Sequence, residues 1–186
     1  MSVQSIVVWV GLVLAGCTMN PEINSAKAPE LQGPLRALFV ISEVGSRGEL
    51  SGEHFQTELE RMARRCRIRL GISTVTELDL DPEVHVTRMK SFGARHSLTL
   101  NLIGITESTR NFFGKRDPVA TRYDARLYED SKRIVWRATL RLALGAGEEI
   151  GSETLAYALM DKLGEDGVIQ RCATRAPSTD PGAYAR

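Results

Sequence analysis

Two neighbouring segments with alternating side chains most restrict how this chain can fold. Apolar and polar residues alternate over residues 119–129 and 132–144, which predicts two strands that each bury one face. The Asp130-Ser131 turn between them is so short that the strands must form an antiparallel hairpin. An even turn keeps both apolar sets on one face, so we predict that Ala125 lies opposite Trp136. The predicted buried face carries Val119, Thr121, Tyr123, Ala125, Leu127, Ile134, Trp136, Ala138, Leu140, Leu142 and Leu144.

Three further strands are predicted before the hairpin. Residues 35–41 form a short apolar run, and residues 67–75 contain an alternating stretch. Residues 97–106 alternate until Gly104, where the pattern shifts, so we expect a β-bulge there. Residues 168–170 are expected to add a brief terminal strand.

Helices are predicted where a capping residue precedes an apolar stripe. Ser51 can cap a first helix, and Asp81-Pro82 can begin a second that ends near Gly93. A third helix is expected over residues 149–165, with leucines at every fourth position. The order β-α-β-α-β-β-β-α predicts an α+β fold, an α/β sandwich of about five mixed strands with about three helices on one face.

The N-terminus carries the pattern of a secretory signal. Residues 5–16 are uncharged and apolar, but this run is shorter than the roughly 20 residues that a membrane-spanning helix needs. Residues 14–17, Leu-Ala-Gly-Cys, resemble the lipobox of bacterial lipoproteins. The resemblance implies cleavage before Cys17, diacylglycerol on its sulfur and acylation of the new amine. Because Thr18 rather than Asp follows, we expect the outer membrane, facing the periplasm.

The rest of the chain is predicted to contain one folded domain, with a polar segment before it and another after it. Residues 1–16 are expected to be the signal peptide, and residues 17–34, which contain three prolines, a lipid anchor and flexible tether. Residues 35–172 are expected to form one α/β domain, and residues 173–186 a disordered tail. The formal net charge of +1 argues against a dedicated nucleic-acid binder.

The segment order resembles a group of bacterial envelope lipoproteins. The resemblance rests on the lipobox, the first apolar strand, the strand at residues 97–106, and residues 125–128, 134–138, 158–163 and 166–169. These are similar to the small α/β domains related to the TolB N-terminal domain, the curli-secretion lipoprotein CsgG and the lipoprotein activators of penicillin-binding proteins. The resemblance covers about residues 35–170, and it implies a fold and a role in envelope assembly rather than an active site.

No pattern in the sequence indicates catalysis. His54, His85 and His96 lack the spacing of a metal site, and no Cys-x-x-Cys is present. Residues 45–48 follow a strand as a phosphate loop does, but they contain no lysine. We therefore expect no enzyme activity, no cofactor and no metal. The pair Cys66 and Cys172 predicts a disulfide in an oxidising compartment, with two free thiols as the alternative.

Two features could bind a partner. Arg122, Arg126, Arg137 and Arg141 are predicted on the outward face of the hairpin, which is either a solvated, salt-bridged face or a docking face for an acidic protein or anionic polymer. Phe112 and Phe113 lie in a predicted loop, where they either meet a partner or fold back onto the domain.

Together these patterns predict a non-enzymatic, lipid-anchored lipoprotein that acts as an interaction or assembly module in the cell envelope. Its expected partners are the membrane, through the lipid, and an envelope protein. The alternative is a subunit of an oligomeric secretion or transport complex. The sequence leaves the oligomeric state open, and the hairpin is too rich in arginine to face lipid as a barrel wall.

Overall fold

The computed structural model describes residues 21–47, 50–76, 81, 83–106, 119–130, 132–144 and 148–172. The strands are β1 (Glu22–Lys27), β2 (Ala37–Ser42), β3 (Arg69–Thr74), β4 (His96–Thr106), β5 (Val119–Glu129) and β6 (Arg133–Leu144). The helices are α1 (Gly52–Arg65), α2 (Glu83–Phe92) and α3 (Glu148–Glu165). Within these residues, six strands form one mixed sheet in the order β1-β6-β5-β4-β2-β3, which confirms the predicted α+β class.

One face of the sheet, called the inner face here, packs against α1 and α3. The main core joins buried side chains of β2, β4, β5 and β6 to apolar side chains of the two helices. Its members include Leu38, Val40, Leu98, Leu100, Tyr123, Leu127, Trp136, Leu140, Phe55, Leu59, Leu155 and Leu159. Arg61 of α1 bridges the helices, since it donates to the Tyr157 hydroxyl of α3 at 2.5 Å and contacts Glu153 at 3.3 Å.

The second helix, α2, lies on the opposite, outer face of the sheet. Its Phe92 ring packs against Phe39 of β2, with the ring centroids 5.7 Å apart. Gly71 of β3 makes room for this pair, because a Cβ atom there would lie 2.7 Å from the Phe39 ring and 2.9 Å from the Phe92 ring. The prediction that the helices cover one face is therefore wrong for α2. It covers the outer face at β2 and β3, and no described helix covers that face over β5 and β6.

The hairpin strands occur as predicted, but their register differs. Leu127 lies opposite Trp136 and Ala125 opposite Ala138, so the predicted Ala125–Trp136 pairing is wrong. The tip is a loop of odd length, because Glu129 pairs directly with Arg133. A bulge then skips Val135, which returns the apolar side chains of both strands to the inner face. Ile134, predicted to be buried, lies beside this bulge and is 45% exposed.

Several local predictions are confirmed. Ser51 caps α1, since its hydroxyl accepts a hydrogen bond from the His54 amide at 3.3 Å. The β4–β5 register shifts between Leu102 and Gly104, which is the predicted bulge. Gly93 and Gly167 follow α2 and α3 with φ of 71° and 66°, a conformation that glycine adopts without strain. Ile169 forms a single parallel bridge with Leu35 rather than a terminal strand.

The predicted tether is partly folded. Residues 22–27 form β1, which pairs antiparallel with β6 along its whole length. Ser25 donates to Asp166 at 2.7 Å, and the Lys27 ammonium donates to the Asp166 carbonyl at 3.0 Å. The prediction of a flexible tether is therefore wrong for β1, because backbone pairing and polar side chains fix a segment with little apolar surface. The folded unit begins at Glu22 rather than at residue 35.

Asp166, at the end of α3, joins three elements. Its Oδ2 atom accepts from Ser25 of β1 and from the indole Nε1 of Trp136 in β6, each at 2.7 Å. Its Oδ1 atom lies 3.2 Å from the Lys162 ammonium. Although Asp166 is an acidic residue at a helix end, its side chain is largely enclosed, with 17% of its surface exposed. The Trp136 side chain is buried, and its indole N–H donates to Asp166, as buried indole groups require a hydrogen-bond acceptor.

The predicted disulfide is confirmed. Cys66, which caps the C-terminus of α1, is bonded to Cys172, and the two Cα atoms lie 5.1 Å apart. The bond closes a loop with a sequence separation of 106 residues. On the chain-entropy account such a loop stabilises the fold by at most about 4–5 kcal/mol. It holds the segment after α3 beside the end of α1.

Replacing the buried tryptophan tests the inside–outside assignment of the hairpin. We expect Trp136→Ala to lower the free energy of unfolding by about 3–5 kcal/mol, because it leaves a cavity and removes the donor to Asp166. Trp136→Phe should cost less, since most of the volume remains. Arg141→Ala, on the outer face of the same strand, should cost under about 1 kcal/mol, because its side chain is largely exposed. Urea midpoints measure all three, and equal effects of Trp136→Ala and Arg141→Ala would contradict the assignment.

Acid should weaken the contacts of Asp166. Partial burial raises the pKa of this carboxyl, but hydrogen bonds from Ser25 and Trp136 and the Lys162 charge outweigh burial and hold the pKa below its usual value. The stabilisation is therefore complete above the unfolded-state pKa of about 3.9 and disappears as the pH falls through the lower folded-state pKa.

We expect Asp166→Asn to lower the free energy of unfolding by about 1–3 kcal/mol near neutral pH, because charged acceptors form the stronger hydrogen bonds. Its difference from the wild type should shrink as the pH falls below about 4. Glu165→Gln is the matched control, since Glu165 is exposed and contacts Lys162 at the same helix end. A stability difference that stays constant down to acid unfolding would contradict the role given to the carboxylate.

Candidate interaction surface

The outer face of the hairpin presents the predicted arginines. On β5, Arg122, Asp124 and Arg126 alternate with the buried Tyr123 and Ala125 and so point outward. On β6, Arg137 and Arg141 point the same way. The arginine face is defined here as Arg122, Arg126, Arg137 and Arg141. The structure thus brings all four predicted residues onto one surface that no described helix covers.

Asp124 neutralises one half of this face. Arg126 and Arg137 lie directly opposite each other, an arrangement that repels when both side chains carry the same charge. The Asp124 carboxylate lies between them, accepting from the Arg126 Nε at 2.5 Å and from the Arg137 Nε at 2.9 Å. Its side chain is only 5% exposed. The two guanidinium groups therefore share one shielded carboxylate, and their contacts are structural.

These contacts also secure the charge of Arg126. A hydrogen bond with Tyr128 and another with Asp124 raise the pKa of its guanidinium above the ordinary arginine value. Arg126 is therefore charged near neutral pH. The same bonds limit its freedom to turn toward a partner.

The other half of the face lacks such compensation. Arg122 and Arg141 also lie directly opposite each other. Glu22 of β1 lies 3.9 Å from Arg141, and both of these side chains are largely exposed. The side chain of Arg122 makes no ion pair or hydrogen bond with another described residue. Two exposed guanidinium groups that face each other in this way are placed to bind an anion, which would relieve their mutual repulsion.

A polar row separates the two arginine pairs. Asn101, Asp124, Thr139 and Asn24 lie in register across β4, β5, β6 and β1. The amide and hydroxyl groups of such residues can donate hydrogen bonds to carboxylate, sulfate or phosphate oxygens. The face therefore offers charge and donors for anion recognition.

The histidines do not form a site together. His54 contacts the Ser51 cap, whereas His96 begins β4 near Glu129, 3.9 Å away. Burial lowers the pKa of His96 and so favours its neutral form near pH 7. In the described part of the chain, no three His, Cys, Asp or Glu side chains are grouped as a metal site would require.

A buried serine–histidine pair, which no sequence pattern predicts, lies between α2 and β3. His85 Nδ1 lies 2.8 Å from the Ser73 hydroxyl, which also accepts from Arg88 at 3.1 Å. Both members are almost fully buried between α2 and β3, so a substrate cannot reach the hydroxyl. Their separation of 12 residues carries no recognisable motif. The pair satisfies polar groups under α2 rather than forming an active site.

The candidate phosphate loop also has a structural explanation. Gly45 has a φ of 83°, and a Cβ atom there would lie 2.6 Å from the Gly52 amide nitrogen. Glycine is therefore required for the close approach of this turn to α1. The adjacent Glu43 carboxylate accepts from the Leu102 amide at 2.9 Å and links β2 to β4. A carboxylate in this position disfavours an anion.

Other predicted sites lie outside the described residues. These are Cys17, Phe112, Phe113, the signal peptide and the tail at residues 173–186. Among the described helices, none combines the length and apolar character needed to cross a membrane.

Comparisons with known proteins identify a similar fold. No known protein family and no curated protein matches the chain. Among solved structures, the PelC dodecamer from Paraburkholderia phytofirmans matches with a TM-score of 0.50 and 14% identity, over 81% of this chain and 99% of that one. A point variant of PelC, also a dodecamer, matches with a TM-score of 0.50 and 14% identity, over 75% and 95% of the two chains. At this identity the likeness concerns the fold alone, and the resemblance to the TolB-related lipoproteins stays a prediction.

Proposed function

We propose that this chain is a lipid-anchored lipoprotein of the bacterial envelope that acts as an interaction or assembly module and not as an enzyme. The lipobox at residues 14–17 supports the anchor, and Thr18 supports the periplasmic face of the outer membrane. The observation that carries the proposed role is the exposed, like-charged pair of Arg122 and Arg141 on a sheet face that no described helix covers.

The chemistry of this face favours an acidic protein partner. Four guanidinium groups lie beside two carboxylates, those of Asp124 and Glu22, so the face carries excess positive charge. A broad, flat sheet surface suits a protein better than a small ligand, which usually binds in a concave pocket. Complementary charge would accelerate the encounter and orient the partner. Phe112 and Phe113 remain proposed as additional contacts.

The described side chains also favour binding over catalysis. The serine–histidine pair under α2 is inaccessible, and the carboxylates Asp124 and Asp166 are each held by several donors. A catalytic acid or base needs access to its substrate. The arrangement of these groups is what a rigid scaffold for a docking face requires.

One comparison favours the alternative function, a subunit of an oligomeric secretion or transport complex. Both PelC structures that the chain resembles are dodecamers. In such an assembly, an acidic surface on a neighbouring copy could occupy the arginine face. The mass of the detergent-solubilised protein distinguishes the alternatives, since a module that binds other proteins would purify as a monomer without its partner.

Lipidation can be tested directly. We expect mass spectrometry of the membrane-extracted protein to find a lipid-modified peptide that begins at Cys17. Cys17→Ala should abolish the modification and release the protein from the membrane fraction, because acyl chains provide about 0.8 kcal/mol of membrane affinity per buried CH₂ group. An intact Met1, or a variant that fractionates like the wild type, would contradict the anchor.

Docking through the arginine face predicts a selective loss of binding. We expect Arg122→Gln combined with Arg141→Gln to abolish recovery of the crosslinked partner from native membranes. The free energy of unfolding, measured by urea titration, should stay within about 0.5 kcal/mol of the wild type, because these side chains have no buried partner. Arg126 and Arg137 are left in place, since their removal would leave the Asp124 carboxylate unpaired.

The matched control removes the same charge from another surface. The control variant combines Arg64→Gln with Arg65→Gln. Both arginines lie in the exposed last turn of α1, the helix that packs on the inner face of the sheet. This control should retain the partner. Equal losses from both pairs would indicate a general effect of net charge and would contradict a specific docking face.

A further inference from the structure

The strand register places the start of the folded unit at one end of the sheet. Glu22, the first residue of β1, lies in a row with Arg141, Arg122 and Gly104. At this end β4, β5 and β6 extend beyond β2, whose last residue, Ser42, pairs with Leu100 while β4 continues to Thr106. The sheet therefore has a projecting end on the side from which the N-terminal segment enters.

The rows beyond Glu22 carry no charge. The next row contains Ile105, Thr121 and Leu142, and the row after it contains Thr106, Ala120 and Ala143. The opposite end of the hairpin is different, because Glu129, Asp130, Lys132 and Arg133 surround its tip. The two ends of the same hairpin thus differ sharply in polarity.

Apolar side chains are exposed on both sides of the Glu22 row. Ile105, in the first uncharged row, is 38% exposed, and Ile103, the extra residue of the β4 bulge just before the Glu22 row, is 55% exposed. Among the described residues only Val84 and Ile134 are comparably exposed large apolar side chains. These two isoleucines, two positions apart near the end of β4, are exposed apolar side chains that do not belong to the core.

The chain length limits how far this end can lie from the lipid. Glu22 follows Cys17 by five residues, which span at most about 18 Å when fully extended. The rows of Ile105 and Thr106 project about 7 Å further along the strands. The interfacial layer outside the hydrocarbon is itself about 5–7 Å thick. A fully extended linker would leave the end of the sheet about 4 Å outside the headgroups, and a linker shorter than this brings it into them.

We propose that the domain stands on its membrane with this end down, and that Ile103 and Ile105 enter the headgroup region of the bilayer that holds the Cys17 lipid. The proposal rests on the lipidation put forward above. The short connection favours the bilayer over a second copy or another protein, because with this end down it keeps the end of the sheet within about 11 Å of the anchored Cys17. The row of Arg122 and Arg141 would then lie at headgroup height, as basic residues that flank a membrane contact commonly do.

This orientation also fixes the geometry of docking. Side chains on the arginine face project perpendicular to the strands and therefore parallel to the membrane. A partner on that face would bind beside the membrane rather than above the domain. The hairpin tip would stand about 35 Å away from the bilayer, since β5 contains 11 residues that rise about 3.4 Å each.

Environment-sensitive labels on single introduced cysteines test the orientation. Ile103→Cys, Ile105→Cys and, as the control at the tip, Lys132→Cys are each labelled with a nitrobenzoxadiazole dye. Cys66 and Cys172 are joined in a disulfide and so do not compete for the label. The lipidated proteins are placed in vesicles of phosphatidylethanolamine and phosphatidylglycerol with brominated acyl chains. Trp136 emission and circular dichroism confirm that each variant is folded.

We expect the labels at positions 103 and 105 to shift to shorter wavelength and to lose intensity to the brominated lipid, while the label at position 132 does neither. Absence of quenching at 103 and 105, or equal quenching at 132, would overturn the orientation. A shift to shorter wavelength without quenching would place protein rather than lipid on this end and would also overturn it. A protein without lipid on Cys17 would instead overturn the proposed anchor, which mass spectrometry of the same sample detects.

Discussion

The structure depends most on the carboxylate of Asp166. This group lies at the end of α3, yet it accepts hydrogen bonds from Trp136 in β6 and from Ser25 in β1, each at 2.7 Å. Without it the indole N–H would be buried without a partner, and β1 would keep only the contact of Lys27 with the Asp166 carbonyl as a side-chain link to the helix layer. Edge strands with few apolar residues bury little surface, so a polar link of this kind decides whether they dock. The carboxylate thus reinforces the backbone pairing that joins β1 to β6.

A second carboxylate has a comparable role on the opposite face. The hairpin register sets arginine against arginine twice, at Arg126 with Arg137 and at Arg122 with Arg141. Asp124 compensates the first pair from an almost fully enclosed position, whereas the second pair has only Glu22, 3.9 Å from Arg141. A sheet designed for stability alone would compensate both pairs or avoid them. The contrast separates arginines that hold the sheet from arginines that are available to a partner, a distinction that the count of arginines does not make.

Alternating apolar residues and helix caps predicted most strands and helices from the sequence. The strand register and the edge strand β1 could not be predicted, because they depend on contacts between distant parts of the chain. Alternation over β5 and β6 identified both strands and their outward arginines. The register was wrong because Ile134-Val135-Trp136 contains three apolar residues in succession, which permit two alignments. Which alignment forms depends on the length of the turn. With Glu129 paired to Arg133, the bulge at Val135 places Trp136 opposite Leu127. β1 contains a single large apolar residue, Ile23, so only pairing with β6 reveals it as a strand. The contacts of Asp124 and Asp166 likewise join residues that are distant in sequence or that depend on this register.

The position of β1 has a consequence for how the protein could work in an envelope. A flexible tether of 18 residues, as the sequence suggested, would let a domain turn freely and present any surface to its surroundings. A strand that begins five residues after the proposed lipid site removes most of that freedom. The disulfide between Cys66 and Cys172 joins the segment after α3 to α1, and the contacts of Asp166 join α3 to β1 and β6. If Cys17 carries the proposed lipid, a domain on so short an anchor keeps its arginine face close to the bilayer. Such a constraint lowers the orientational cost of meeting a partner that is itself held at the same membrane, because both search in two dimensions rather than three.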